Sequence, residues 1–379
     1  MRLAAIGFGL AALVAQANGS TQSTPMESSL FGIPIVKVHL LRGDGTSKEV
    51  RMVVDTGSEM SVLDRSIGPE FWTRDADLEG KKVEAVAAGG SAVTAEPVRV
   101  HQLQCGPLHA RAFRAILLDL SYLNQTMDIP VAGLIGMNLL RDQTFLMDFH
   151  HQVICWNSGS EGLYLQNLAF KHSNGVPLVR LDVAGFRLEA VCDTGLTGFL
   201  TVSERAAKNL PRRTVPSPTS ISVTVAGKES PQQVRSISAA VGIGAKQWCD
   251  PDVEIEEEDL LGLSAMWPFI WLDFRGAQVG FKVGPNGCLD AKPAVRQSLH
   301  AVWDRSGATP RLVILGVKSG SVYERAGLRA GDRLLAFGDL QGDSLNLATL
   351  RAAVLSGKAR SLSIMRNERP ARIELPEPK

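Results

Sequence analysis

Between residues 30 and 285 the apolar positions fall in short runs, many alternating with polar ones, and not in the three-to-four spacing of helices. Residues 35–41, 50–54, 83–88, 98–103 and 112–118 are runs of this kind with turn residues between them, and each reads as a strand. Arg42-Gly43-Asp44-Gly45 is a hairpin turn, and Ala184-Gly185 marks a matching hairpin five residues shorter. Many short strands broken by such turns predict small antiparallel barrels and not a parallel sheet. Residues 283–294 are rich in Gly and Pro and read as a linker. Beyond them the pattern changes to a strand at 313–317 and an amphipathic helix after Asp343-Ser344, with Leu347, Leu350 and Val354 on one face. Strands at 361–366 and 371–375 finish the chain.

The strand-rich region repeats itself. Gly32-Ile33-Pro34-Ile35-Val36-Lys37-Val38 is matched by Gly175-Val176-Pro177-Leu178-Val179-Arg180-Leu181. Val54-Asp55-Thr56-Gly57 is matched by Cys192-Asp193-Thr194-Gly195, Leu134-Ile135-Gly136 by Leu260-Leu261-Gly262, and Met147-Asp148-Phe149 by Leu272-Asp273-Phe274. Asp55 stands 34 residues before Gly89, and Asp193 stands 34 before Gly227. The order and spacing of these pairs mark an internal duplication, which delivers two carboxylates in equivalent positions.

Two carboxylates brought to a shared axis cannot both ionise, so the pair holds one proton. The ionised member can take a proton from a water while the protonated one polarises a carbonyl, which is hydrolysis without a covalent intermediate. Gly after Asp-Thr lets the loop turn sharply and approach its partner. Taken singly, each Asp-Thr-Gly also suits an Asp-initiated turn at the end of a strand.

On these motifs the chain resembles an aspartic protease, specifically a retropepsin-like enzyme with two lobes fused in one chain, over roughly residues 30–285. The resemblance implies a mainly β fold of two retropepsin-like (pepsin-type) antiparallel barrel lobes, at 18–165 and 166–285. It implies Asp55 and Asp193 as the catalytic dyad, with Thr56, Gly57, Thr194 and Gly195 supporting the active-site loops. Ile135, Gly136, Leu261 and Gly262 would brace those loops from behind. Flaps over the substrate would be tipped by Ala88, Gly89 and Gly90 and by Ala226 and Gly227. Two departures are visible. Neither flap carries the Tyr that pepsin-like enzymes keep there, and Leu196 stands where Ser, Thr or Ala is usual. Ser58, at the matching place in the first lobe, is expected to offer its hydroxyl to Asp55 and lower that side, leaving Asp193 to hold the shared proton.

The tail, residues 286–379 with the linker, resembles a PDZ domain of the bacterial protease-associated type through Gly320-Ser321 and Ala326-Gly327-Leu328-Arg329-Ala330-Gly331-Asp332-Arg333-Leu334. Such α+β domains bind extended peptide ends by strand addition. The usual apolar-Gly-apolar carboxylate loop is missing, and the candidate stretch is Gln297-Ser298-Leu299-His300-Ala301-Val302.

Composition narrows the partners. A net charge of +1 gives no reason to expect nucleic acid, and the sequence offers no zinc spacing or phosphate loop. The expected partner is a polypeptide substrate between the lobes, with a peptide or protein ligand at the PDZ domain left open. Neither a metal nor an organic cofactor is expected. His150-His151 reads as surface or rim. Residues 1–17 read as an export signal: Arg2, an apolar run at 3–14 too short to span a bilayer, then Ala15-Gln16-Ala17. A periplasmic or secreted protein with no stable membrane span follows. Export permits disulfides among Cys105, Cys155, Cys192, Cys249 and Cys288. Cys192 is expected free, leaving Cys105 with Cys155 and Cys249 with Cys288, unless all five stay reduced. The acidic run 254–259 reads as a solvated loop, unless its nearness to the second brace places it at the cleft. The activity expected is that of an aspartic endopeptidase. The rival is a catalytically silent peptide-binding or adaptor protein on the same fold.

Overall fold

The computed structural model describes residues 22–376, apart from 30–31, 79–82, 87–91, 162, 164, 174, 211–213, 221–222, 225–226, 229–231, 238, 250, 252, 292–298, 305–308 and 318–319. The expected signal at 1–17, and Ala88, Gly89, Gly90 and Ala226 of the expected flaps, lie outside the described residues.

The chain is mainly β. Its first half contains β1 (Gln22–Ser28), β2 (Pro34–Leu41), β3 (Ser47–Val54), β4 (Ser61–Asp64), β5 (Ala92–Cys105), β6 (Leu108–Leu118), helix α1 (Ser121–Thr126), β7 (Gly133–Ile135), β8 (Thr144–Asp148) and β9 (Val153–Trp156). Alternation sets the faces. In β2, Val36, Val38 and Leu40 are fully buried while Lys37 and His39 point outward. Neighbour to neighbour, β2–β3–β7–β4–β6–β5 close back on β2 as a barrel.

The second half contains β10 (Leu165–Ala169), β11 (Val176–Val183), β12 (Phe186–Cys192), β13 (Leu200–Ser203), β14 (Val253–Glu256), β15 (Leu260–Leu261), β16 (Phe269–Asp273) and β17 (Gln278–Lys282). Here β11–β12–β15–β13–β14 repeat the order β2–β3–β7–β4–β6 with the same relative directions. Two details differ from the antiparallel expectation. The pairs β3/β7 and β12/β15 are parallel, because each Asp loop returns on the far side of its brace strand, and β4/β6 and β13/β14 are parallel as well. Among the described residues the second sheet also stays open where the first closes. Ala184 and Gly185 form the two-residue hairpin turn at φ 52° and 87°.

A third, antiparallel sheet of order β10–β17–β16–β8–β9–β1 takes strands from both halves. At its centre Leu146 of β8 stands opposite Trp271 of β16, and Thr144 Oγ1 donates to Asp273 at 2.7 Å.

The tail has its own core and a sheet of order β18 (Leu299–Asp304), β19 (Arg311–Val317), β20 (Arg333–Phe337), β21 (Ser361–Arg366), β22 (Arg369–Glu374). Helix α2 (Leu347–Ser356) is capped by Asn346, whose side chain accepts from Thr349 N at 3.0 Å, and stops at Gly357 with φ 60°. Leu347, Leu350 and Val354 face the core as the spacing predicts. Asp332 is buried and takes both Arg366 Nε and Nη2 at 2.6 Å. The edge strand β18 lies beside α2, and α1 from the first half is packed against it.

Cys249 and Cys288 form a disulfide with Cα atoms 6.0 Å apart. The pairing of Cys105 with Cys155 is not formed. Cys105 ends β5 inside the main core, whereas Cys155 faces a separate cluster with Leu146, Phe269 and Trp271. Both are buried thiols, and burial pushes Cys105 up to about 12. Cys192 is free and buried. The stretch read as linker is packed at its start: Val283 and Leu289 are buried, and Leu289 bridges to Trp248.

Candidate active site

Asp55 and Asp193 sit one residue past β3 and β12, each with its backbone N–H bonded to the adjacent brace. Asp55 N donates to Ile135 O at 3.0 Å, and Asp193 N donates to Leu261 O at 2.9 Å. The brace glycines let the loops sit directly on them. A Cβ at Gly136 would come within 2.6 Å of Met60 backbone, and one at Gly262 within 2.5 Å of Gly198 O. Beyond each glycine the chain feeds further amides upward: Met137 N to Ser58 O and Leu263 N to Leu196 O, both at 2.8 Å.

The two loops are bolted together by their threonines, both fully buried. Thr56 N donates to Thr194 Oγ1 at 3.0 Å, and Thr194 N donates to Thr56 Oγ1 at 3.1 Å. Each hydroxyl then donates across the axis, Thr56 to Cys192 O at 2.6 Å and Thr194 to Val54 O at 2.7 Å. A serine could make these bonds but would lack the methyl that fills the site. Valine would fill it and make none.

This arrangement brings the two carboxyl groups side by side around Gly195, where a Cβ would sit tightly, 3.1 Å from Asp193 Oδ1 and 3.1 Å from Asp55 Cγ. A Cβ on Gly57 would come within 2.4 Å of Asp193 Cγ, so that glycine is needed for the close approach. Asp55 Oδ1 accepts from Gly57 N at 2.9 Å and Ser58 N at 3.1 Å. Asp193 Oδ1 accepts from Gly195 N at 2.7 Å.

Both carboxyls are held above the ordinary carboxylate range. Burial, then the charge of Asp193, holds Asp55 well above the ordinary carboxylate range. Burial also raises Asp193, but the Gly195 amide, the hydrogen bond from Asp55 and the Leu196 and Gly57 amides pull it back. The pair therefore holds one proton in a single coupled titration that belongs to both carboxyls together. The expected donor failed because the Ser58 hydroxyl donates to Met60 O at 2.7 Å, leaving only its amide for Asp55.

The strand Val83–Val86 pairs with the start of β5, with Val86 opposite Ala92, which makes the first expected flap a hairpin. Gly227 pairs with Thr224 in a second hairpin, Val223–Thr224 with Gly227–Lys228, which lies against α1. His150 and His151 are exposed, and His151 Nδ1 contacts Asp148 at 2.7 Å.

Residues not singled out from the sequence also hold the loops. Asn138 Oδ1 accepts from Ser61 N and Oγ at 2.8 Å, and Ser264 Oγ donates to Thr197 O at 3.2 Å. Their signal was available: each is the polar residue two past a brace glycine. Glu258 of the acidic run is half-buried, and burial followed by the charge of Asp193 raises it above its ordinary range. That segment is not a freely solvated loop at this position.

A family model described as aspartyl protease matches residues 38–139, and it supports an aspartic-type peptidase. The match includes Asp55 and the first brace and ends before Asp193. No curated protein matches the chain.

Proposed function

We propose that this chain is a two-lobed aspartic endopeptidase that cleaves extended polypeptide between its lobes with one water activated by Asp55 and Asp193. The observation that carries this reading is the reciprocal threonine pair, which sets two equivalent carboxyls against each other at one axis. In the mechanism, the ionised member of the Asp55–Asp193 pair takes a proton from the attacking water while the proton on the other moves to the substrate carbonyl oxygen. A gem-diol forms, and its collapse returns a proton to the leaving amine. The two hairpins around 87–91 and 225–226 are the flaps in this reading. The chain is exported after signal removal, and the tail acts as a PDZ domain. Support for the tail assignment comes from β18, which ends its sheet beside α2, the kind of edge to which such domains add a strand and against which α1 packs in this structure.

The test is cleavage of an unfolded protein by the wild type, by Asp55→Asn and by Asp193→Asn, with pepstatin as inhibitor. Pepstatin-sensitive cleavage lost in both variants supports the reading. Binding of the unfolded chain without cleavage by the wild type, over the whole pH range of stability, favours the silent peptide-binding protein.

A further inference from the structure

The two halves present different walls beside the dyad. Strand register makes the comparison internal: Val53 stands beside Leu134, and Val191 stands beside Leu260. Counting back two residues from each brace leucine places Glu258 where the first half has Ala132. The approach to the first brace is apolar, Ile129-Pro130-Val131-Ala132, and the approach to the second is Ile255-Glu256-Glu257-Glu258.

The backbone at Glu258 is fixed. Its carbonyl accepts from Thr201 Oγ1 at 2.9 Å, and the next carbonyl, of Asp259, accepts from Val191 N at 2.9 Å, two residues before Asp193. The Asp259 side chain turns to Ser203 N at 2.6 Å. Glu258 itself lies in the bend between β14 and β15, two residues before the brace strand that pairs with Val191 and Cys192, and its side chain is half-buried there. Burial, followed by the charge of Asp193, raises this carboxyl above its ordinary range. Among the described residues no cation and no hydrogen-bond donor meets the Glu258 carboxylate. A half-buried carboxylate beside a second negative charge is poorly stabilised unless a cation joins it.

We infer that Glu258 is a specificity-determining residue that receives a lysine or arginine side chain of the substrate, close to the scissile bond on the Asp193 side. The inference rests on the protease reading and adds the substrate class. An arginine or lysine bound there also neutralises the repulsion between Glu258 and Asp193, so the occupant improves the site it enters. The opposite wall, at Ala132, takes an apolar side chain.

The experiment uses the full mature chain and a set of matched peptides in which Lys, Arg, Gln, norleucine and Glu are placed in turn at each position flanking the cleaved bond. The quantity read is the ratio of kcat/KM for the basic peptide to that for its Gln counterpart. The expected wild-type ratio is about tenfold at one position, from one charge-assisted contact. Glu258→Gln should bring the ratio close to one, and Glu258→Lys should invert it in favour of Glu. Ala132→Glu, which places the carboxylate on the opposite wall, should create a second basic preference on the other side of the bond. A wild-type ratio near one, or a ratio that survives Glu258→Gln, overturns the inference while leaving the protease reading in place. Failure of the wild type to cut any peptide counts against the protease reading itself.

Discussion

Removing a threonine hydroxyl from the dyad support tests the site through stability as well as activity. Thr194→Val keeps the shape of a fully buried side chain and deletes one oxygen. That oxygen accepts from Thr56 N at 3.0 Å and donates to Val54 O at 2.7 Å, so the variant orphans one amide and one carbonyl. Each buried unpaired group costs about 1–3 kcal/mol, so the loss of two should be about 2–6 kcal/mol. Thr56→Val orphans Thr194 N and Cys192 O and should lose a similar amount. Thr194→Ser keeps both bonds and removes one methyl, which costs about 1 kcal/mol. The assay is urea denaturation followed by fluorescence of the buried Trp156, Trp248 and Trp271, with peptide cleavage measured in parallel. Valine should also depress kcat by more than tenfold, because the Asp55 and Asp193 loops lose their tie. A valine variant within about 0.5 kcal/mol of the wild type, or as stable as the serine variant, would refute the claim that these hydroxyls hold the loops.

Other expected outcomes follow from the same geometry. Asp55→Asn should abolish turnover, by a factor on the order of 10⁴, and should raise the melting temperature at pH 7. Both carboxyls are raised in the folded state, so the native protein binds more protons than the unfolded chain above the ordinary carboxylate range, and stability falls as pH rises. The gain from asparagine should fade below about pH 4; a variant destabilised at pH 7 contradicts this sign. Ser58→Ala should leave both limbs of the pH–rate profile in place, since that hydroxyl bonds Met60 O and not Asp55; a shifted limb argues otherwise. Truncation after Ala291 should leave a folded chain that cuts small peptides, whereas truncation before Cys288 should lose the disulfide and about 3 kcal/mol, read from denaturation midpoints. Loss of soluble protein in the first truncation shows that the tail is integral. Alkylation should label Cys105, Cys155 and Cys192 only after denaturation, as mass spectrometry would report.

Much of the site was legible because duplication writes the same constraint twice. The threonine grip, the brace glycines and the dyad are local strings whose partners recur at fixed spacing, and the geometry joins them as the repeat suggests. What failed was direction. Ser58 has the right residue type at the right place, but Met60 O lies nearer its hydroxyl than Asp55 does, and no sequence spacing reveals that. The pairing of Cys105 with Cys155 failed for a similar reason. Counting two cysteines per half says nothing of which face of a strand each occupies, and these two face different cores. The barrel expectation captured the alternation of β2 and β11 but not the parallel pairs, which arise when a strand from beyond the helix slots between two that are adjacent in sequence.

The sheet built from β10, β17, β16, β8, β9 and β1 has a consequence for how the molecule comes apart and how it moves. Neither half can keep its edge covered without the other, because β8 and β16 are each other's neighbours along five residue pairs from Thr144↔Asp273 to Asp148↔Phe269. Expressed alone, either half would expose an apolar strand such as Phe269–Asp273, which is buried along most of its length, and would associate with itself or aggregate. The halves therefore melt as one cooperative unit. Any relative motion of the halves is then expected to twist this shared sheet and not to swing two independent bodies about a loose hinge.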